Sequence, residues 1–239
     1  MAGRDAVSII AHRGYSALHR ENSPTAWQAA AACGADLVEV DIRFTADGHC
    51  VCIHDPDLRL ARSDRLVHET PFAVIERLEV AGEPVAPAFQ QALDAVPVTT
   101  GLLLDVKDER PVSLEALANL VGQAGDRQIV LGLHDVGSVA AMRQMAHREI
   151  LGFLNRDADE VAFVAAGGSL IRVWEHYASA DRVASLLQRG LPVWVTTGGD
   201  GTKRAVGDHD PAVLKKLAAI GVSGFLVNDP VAARNHLNG

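Results

Sequence analysis

Short apolar runs alternate with longer amphipathic ones along most of this chain. The short runs are VSIIAH (residues 7–12), LVEVDIRF (37–44), LLLDV (102–106) and QIVLGL (128–133), followed by EILGF (149–153), SLIRVW (169–174), PVWVTT (192–197) and GFLVN (224–228). Most are apolar at successive positions, the pattern of strands covered on both faces. The stretches between them (23–32, 113–124, 136–147, 158–166, 181–189 and 210–219) carry the spacing of helices with one apolar face. Ser23-Pro24 and Asp210-Pro211 are helix starts, a capping side chain followed by a first-turn proline, and Gly34 and Gly190 are helix stops. Eight strands in βα alternation predict a (β/α)8 TIM barrel rather than an open doubly wound sheet. Residues 55–97 fit the alternation least: they read as a short excursion after the second strand, with a hairpin partner, a loop and one helix. No linker or shift of composition interrupts the chain, so residues 1–239 are expected to form a single domain.

One run breaks the apolar rule. Glu39 and Asp41 stand two apart in LVEVDIRF and therefore share one face of a strand, where like charges repel unless a cation lies between them. The net charge is −8 and the pI about 5.6, so an anionic substrate would need a local cationic site built against that background. That balance also argues against nucleic acid or an anionic membrane as a partner. No run of 18 or more apolar residues predicts a membrane span, and MAGRDAVSIIAHRG at the start lacks the features of a secretory signal. Three cysteines give no disulfide framework, and Cys50 and Cys52 read as small buried strand residues; a cytoplasmic location is the expectation.

Barrel enzymes carry their reactive groups at the C-terminal ends of strands and in the loops that follow. At those places this chain has His12-Arg13-Gly14, Glu21-Asn22, Glu39 and Asp41, His54 after the TADG turn, and Asp105-Val106-Lys107. Glu39, Asp41 and Asp105, with Glu21 as a candidate fourth, are hard oxygen ligands suited to Mg²⁺ or Ca²⁺. His12 and His54 can move protons near neutral pH, and Arg13 and Lys107 suit phosphate oxygens. A divalent ion, two histidines and two cations around one point describe hydrolysis of a phosphate ester. His134 ends the fourth strand, at the expected pocket rim, and is a candidate substrate contact. Phe153 and Trp174 also end strands, where ordinary packing explains them as well as a pocket wall does. The glycines of TTGGDGTKR (196–204) read as a loop.

The array AHRG…REN…GADLVEVDIRFTADGHCVCIHDPDL, continued in LLLDVK, LPVWVTTG and GVSGFLVNDP, resembles the glycerophosphodiester phosphodiesterase family over nearly the whole chain. The resemblance implies a metal-dependent enzyme that converts a small glycerophosphodiester to glycerol 3-phosphate and an alcohol. It implies His12 and His54 as the acid/base pair and Glu39 and Asp41 as metal ligands, with Glu21 near the metal. Arg13 and Lys107 match phosphate-holding residues, and Trp194 matches an aromatic that walls the pocket. Three positions depart from the family pattern: Asp105 is shorter than the usual Glu, Leu133-His134 replaces Ser-Phe, and Thr197 replaces Asn. These leave the phosphate chemistry in place and leave substrate preference open. Other readings of the same residues are lysophospholipase D-type cleavage, a cyclising phospholipase, or a barrel that binds a phosphoryl ligand without catalysis. Headgroup, choice of metal and oligomeric state are not legible.

Overall fold

The computed structural model describes residues 7–154 and 159–239. In chain order, β1 (Ser8–Ala11) leads through α1 (Pro24–Ala32) to β2 (Leu37–Phe44), which turns back into the antiparallel β3 (Cys50–Cys52). An excursion follows, with α2 (Phe72–Ile75), a two-residue pair β4 (Glu79–Val80) and β5 (Glu83–Pro84), and α3 (Phe89–Ala95). Regular alternation then resumes through β6 (Gly101–Val106), α4 (Pro111–Gln123), β7 (Ile129–Leu133), α5 (Val136–Met145), β8 (Glu149–Gly152) and α6 (Glu160–Ala165). It ends with β9 (Leu170–Trp174), α7 (Ala180–Gln188), β10 (Val193–Thr196), α8 (Pro211–Ala219), β11 (Gly224–Val227) and α9 (Pro230–Asn238).

Eight parallel strands close into a ring in the order β1-β2-β6-β7-β8-β9-β10-β11. Ile10 seals it, pairing with Leu37 of β2 on one side and Leu226 of β11 on the other. The unbroken apolar runs follow from this closure, because each strand has two covered faces. Ile10, Leu37, Leu103, Val130, Leu151 and Leu226 fill the barrel interior. Their neighbours Ile9, Val38, Leu102, Leu104, Leu131 and Phe225 point outward into the helical layer. Removing most of a fully buried side chain such as Leu104 by mutation to alanine costs about 2–5 kcal/mol.

The eight predicted strands and their (β/α)8 arrangement are present, with ends shifted by a residue or so. Ser23 Oγ accepts from Ala26 N at 3.2 Å, and Asp210 Oδ1 from Ala212 N at 2.8 Å, as their start signals require. The helix read over 158–166 is described from α6 onward, and its first residue, Ala158, lies outside the described residues. Two helices went unread, the short α2 in the excursion and α9: Asp229-Pro230 repeats the start signal of α8, and Asp229 Oδ1 caps α9 through Ala232 N at 2.9 Å. The excursion has a small core of its own (Val51, Ile53, Leu58, Val67, Ile75 and Val85), which anchors the chain on both sides of His54. Among the described residues, no helix is long and apolar enough to cross a membrane.

Candidate active site

The chain leaves β1 through a tight turn at His12-Arg13-Gly14. Arg13 and Gly14 are both left-handed, with φ of 58° and 85°. Gly14 has no substitute there, because a Cβ would stand 2.7 Å from the backbone of Ala26 in α1. The turn aims the Arg13 amide at Glu39, whose Oε2 accepts it at 2.6 Å. Glu39 and Asp41 face inward from β2, and Asp41 is in register with Asp105 of β6. All three acids are buried, and each offers a carboxylate oxygen within 4.8 Å of the others. That is the span one oxygen-coordinated divalent ion covers with bonds of about 2.0–2.6 Å.

The charges around the trio are uneven. Burial pushes the Glu39 carboxyl well above its usual range, and the neighbouring charges of Asp41 and Asp105 push it further. Burial would raise Asp105 too, but the hydrogen bond from His134 and the ammonium of Lys107 outweigh it and hold that carboxyl below the usual range. Lys107 Nζ lies 2.6 Å from Asp105 Oδ2 and 3.2 Å from Asp41 Oδ1. Arg13 Nε lies 3.2 Å from Asp41 Oδ2. Lys107 and His134 thus favour the ionised form of Asp105, while Glu39 keeps a burial cost that a divalent cation would remove. The donor set, all hard oxygen and closely spaced, fits Mg²⁺ or Ca²⁺.

Each histidine of the predicted pair has one ring nitrogen engaged. His12 Nδ1 lies 2.9 Å from Asn228 Oδ1. The Asn228 amide is fixed from its other end, since Nδ2 donates to Val206 O at 2.8 Å and Asp208 Oδ1 at 3.1 Å. Oδ1 therefore faces His12 as an acceptor, Nδ1 carries the hydrogen, and Nε2 of the neutral ring holds a free lone pair. Burial first, and the charge of Arg13 second, lower the His12 pKa and favour that neutral ring. His54 Nδ1 lies 3.0 Å from Asp55 Oδ1. The backbone ties the His54 segment to β2: Ile53 N donates to Asp41 O at 3.0 Å, and His54 O accepts from Arg43 Nη2 at 2.8 Å.

The family model described as the glycerophosphoryl diester phosphodiesterase family matches residues 12–232. The chain belongs to that family. Over 109 residues it is 28% identical to the glycerophosphodiester phosphodiesterase of Bacillus altitudinis, covering 42% of this chain and 44% of that protein. Over 129 residues it is 54% identical to glycerophosphodiester phosphodiesterase 1 of Mus musculus, covering 49% of this chain and 39% of that one. The chain thus aligns with less than half the length of either relative. Among solved structures, a phosphodiesterase of Oleispira antarctica in complex with the product sn-glycerol-3-phosphate superposes with a TM-score of 0.81 at 19% identity, over 97% of each chain. The glycerophosphodiester phosphodiesterase of Thermotoga maritima gives 0.78 at 18% identity, over 97% of this chain and 98% of that one. These likenesses establish the shared fold.

As a glycerophosphoryl diester phosphodiesterase family member, the chain places the predicted site residues unequally. Glu39, Asp41, Asp105, Arg13 and Lys107 meet in one cluster, with His134 against it. Glu21 is not among the clustered acids: its half-exposed carboxylate accepts from Arg13 Nη1 at 2.8 Å. The inward partner from the EN element is the next residue, Asn22, whose Nδ2 donates to Asp41 Oδ2 at 2.7 Å. An amide carries no charge to flag it in a sequence, but its own left-handed backbone, φ 50°, marks the position in the structure. Trp194 packs against Gly224 in the barrel interior, in register with Arg172 on the neighbouring strand. Sequence reasoning also missed Asn228 and Arg172. Asn228 closes the GFLVN run as an uncharged residue; Arg172 is the one charge inside the SLIRVW strand, a signal of the kind that drew attention to Glu39.

Proposed function

We propose that this chain hydrolyses glycerophosphodiesters to glycerol 3-phosphate and an alcohol, using His12 and His54 for proton transfer and a divalent ion, Mg²⁺ or Ca²⁺, held by Glu39, Asp41 and Asp105. The observation that carries this reading is the buried carboxylate trio beside a histidine whose Nε2 is left free as an acceptor. The family, its relatives named as glycerophosphodiester phosphodiesterases, and the glycerol 3-phosphate product bound to the Oleispira antarctica barrel support it.

A bound divalent ion at the trio would supply Lewis-acid neutralisation of a non-bridging phosphate oxygen. The chain's own groups do the rest. Arg13 and Lys107 add positive charge beside the phosphate. His12 Nε2 takes a proton from the attacking water as its oxygen bonds to phosphorus. The bond from phosphorus to the alcohol oxygen breaks, and His54 gives a proton to that oxygen, which is otherwise a poor leaving group. Proton exchange with solvent then returns both rings to their starting states. Asn228 and Asp55 hold the rings by Nδ1 through these steps.

Release of glycerol 3-phosphate from glycerophosphoglycerol, measured beside release of glycerol from lysophosphatidylglycerol, tests the reading. Turnover of the first substrate well above the second is expected. Preference for the lysolipid would assign the site to lysophospholipase D-type chemistry, and turnover of neither would overturn the reading.

A further inference from the structure

Arg172 projects into the barrel from β9, which stands diametrically across the ring from β2 with its Glu39 and Asp41. Only 7% of its surface is exposed. The guanidinium carbon lies 4.1 Å from the centre of the Trp174 ring and 5.1 Å from that of Phe153, so the group is flanked by two aromatic faces. The His134 ring stacks on Phe153 at 5.2 Å and 17°. His134, Phe153, Arg172 and Trp174 therefore line a continuous wall leading away from Asp105.

The charge on this wall has no partner. Among the described residues Arg172 makes no hydrogen bond or ion pair, and its Nε is buried without an acceptor. Arg127, buried to a similar degree and also without an acceptor at Nε, shows how a structural arginine is held: its Nη1 and Nη2 donate to the carbonyls of Leu93 and Val96, whereas among the described residues both Nη groups of Arg172 are without an acceptor. Burial lowers Arg172 to about 10, which still leaves it charged at neutral pH. A buried guanidinium held by aromatic faces and lacking an acceptor is a site waiting for an anion.

We propose that Arg172 binds a second anionic group, a carboxylate or phosphate carried by the alcohol portion of the substrate beyond the phosphodiester. This rests on the hydrolysis proposed above. A phosphodiester anchored at β2 and β6 sends its other end across the mouth toward β9. The same arrangement disfavours quaternary or primary ammonium headgroups, because both aromatic faces are already taken by a cation that repels them.

Two matched substrate pairs test the assignment. Glycerophosphoserine differs from glycerophosphoethanolamine by one carboxylate, and glycerophosphoglycerol phosphate differs from glycerophosphoglycerol by one phosphate. The parent enzyme should prefer the anionic member of at least one pair by about 10- to 100-fold in kcat/KM, the size of one charge-assisted contact. The pair that shows it identifies the anion. Arg172→Met should erase that preference, Arg172→Lys should keep part of it, and Arg172→Met should melt no lower than the parent. Indifference of the parent within both pairs, with turnover intact, would overturn this inference alone. So would an equal loss on all four substrates, or a lowered Tm, either of which marks a general or structural role. No turnover of any of the four would overturn the hydrolysis reading and this one together.

Discussion

His134 Nε2 lies 2.8 Å from Asp105 Oδ1, and the contact ties the end of β7 to the carboxylate trio on the neighbouring strands. The shorter acid on β6 is held from both sides, by His134 and by Lys107 at 2.6 Å. An aspartate has a shorter reach than a glutamate, and two fixed partners orient what reach it has. Replacing His134 with alanine is expected to weaken Mg²⁺ or Ca²⁺ binding by about 10- to 100-fold, the usual size for a residue that orients a metal ligand. Calorimetric titration of the metal-free protein checks this. An unchanged affinity would mean that Lys107 alone orients Asp105.

The two histidines should fail together in kcat. His12→Ala and His54→Ala should each lower turnover by about 10² to 10⁴-fold, with folding checked by circular dichroism. A folded variant of either kind with parental turnover would remove that histidine from the chemistry.

Asn228 should govern the pH profile through His12. The proposed base must be neutral to accept a proton, and burial together with Arg13 lowers its pKa below the ordinary 6.5. The acidic limb of kcat/KM should therefore have its midpoint below pH 6.5, activity being lost as pH falls and the ring takes a proton. Asn228→Asp puts a carboxylate against Nδ1, favours the imidazolium and raises the pKa, so the limb should move to higher pH. A limb that stays in place would show that His12 is not the group that titrates.

Gly14 should tolerate nothing larger. An alanine there meets both a left-handed backbone and the main chain of Ala26 at 2.7 Å. Gly14→Ala is expected to cost about 1–3 kcal/mol or more, read as a lowered urea midpoint. A neutral result would mean that α1 can move away from the turn.

Strand positions were legible because closure covers both faces of each strand with apolar residues, a pattern that local sequence carries. Glu39 and Asp41 were legible for the opposite reason, as charges where the pattern demands Val or Leu. By that rule Arg172 was equally visible, but a single cation in a strand has no spacing to compare with a motif. Asn22 and Asn228 were hidden because uncharged amides are ordinary in loops; only the structure shows one touching Asp41 and the other His12. Glu21 drew attention by its charge, yet the fold turns it toward Arg13 and turns its neighbour inward. Contacts such as His134 to Asp105 join residues 29 apart in sequence and depend on the ring being closed.

The central claim, a divalent ion on the carboxylate trio serving two-histidine hydrolysis, is tested most directly by stripping the metal and restoring it. Glycerophosphodiester turnover should vanish in EDTA and return with Mg²⁺ or Ca²⁺ in the parent, while Asp41→Asn should bind the ion more weakly by calorimetry and recover little turnover. Full activity in EDTA, or an Asp41→Asn enzyme that binds metal and turns over as the parent does, would contradict the account.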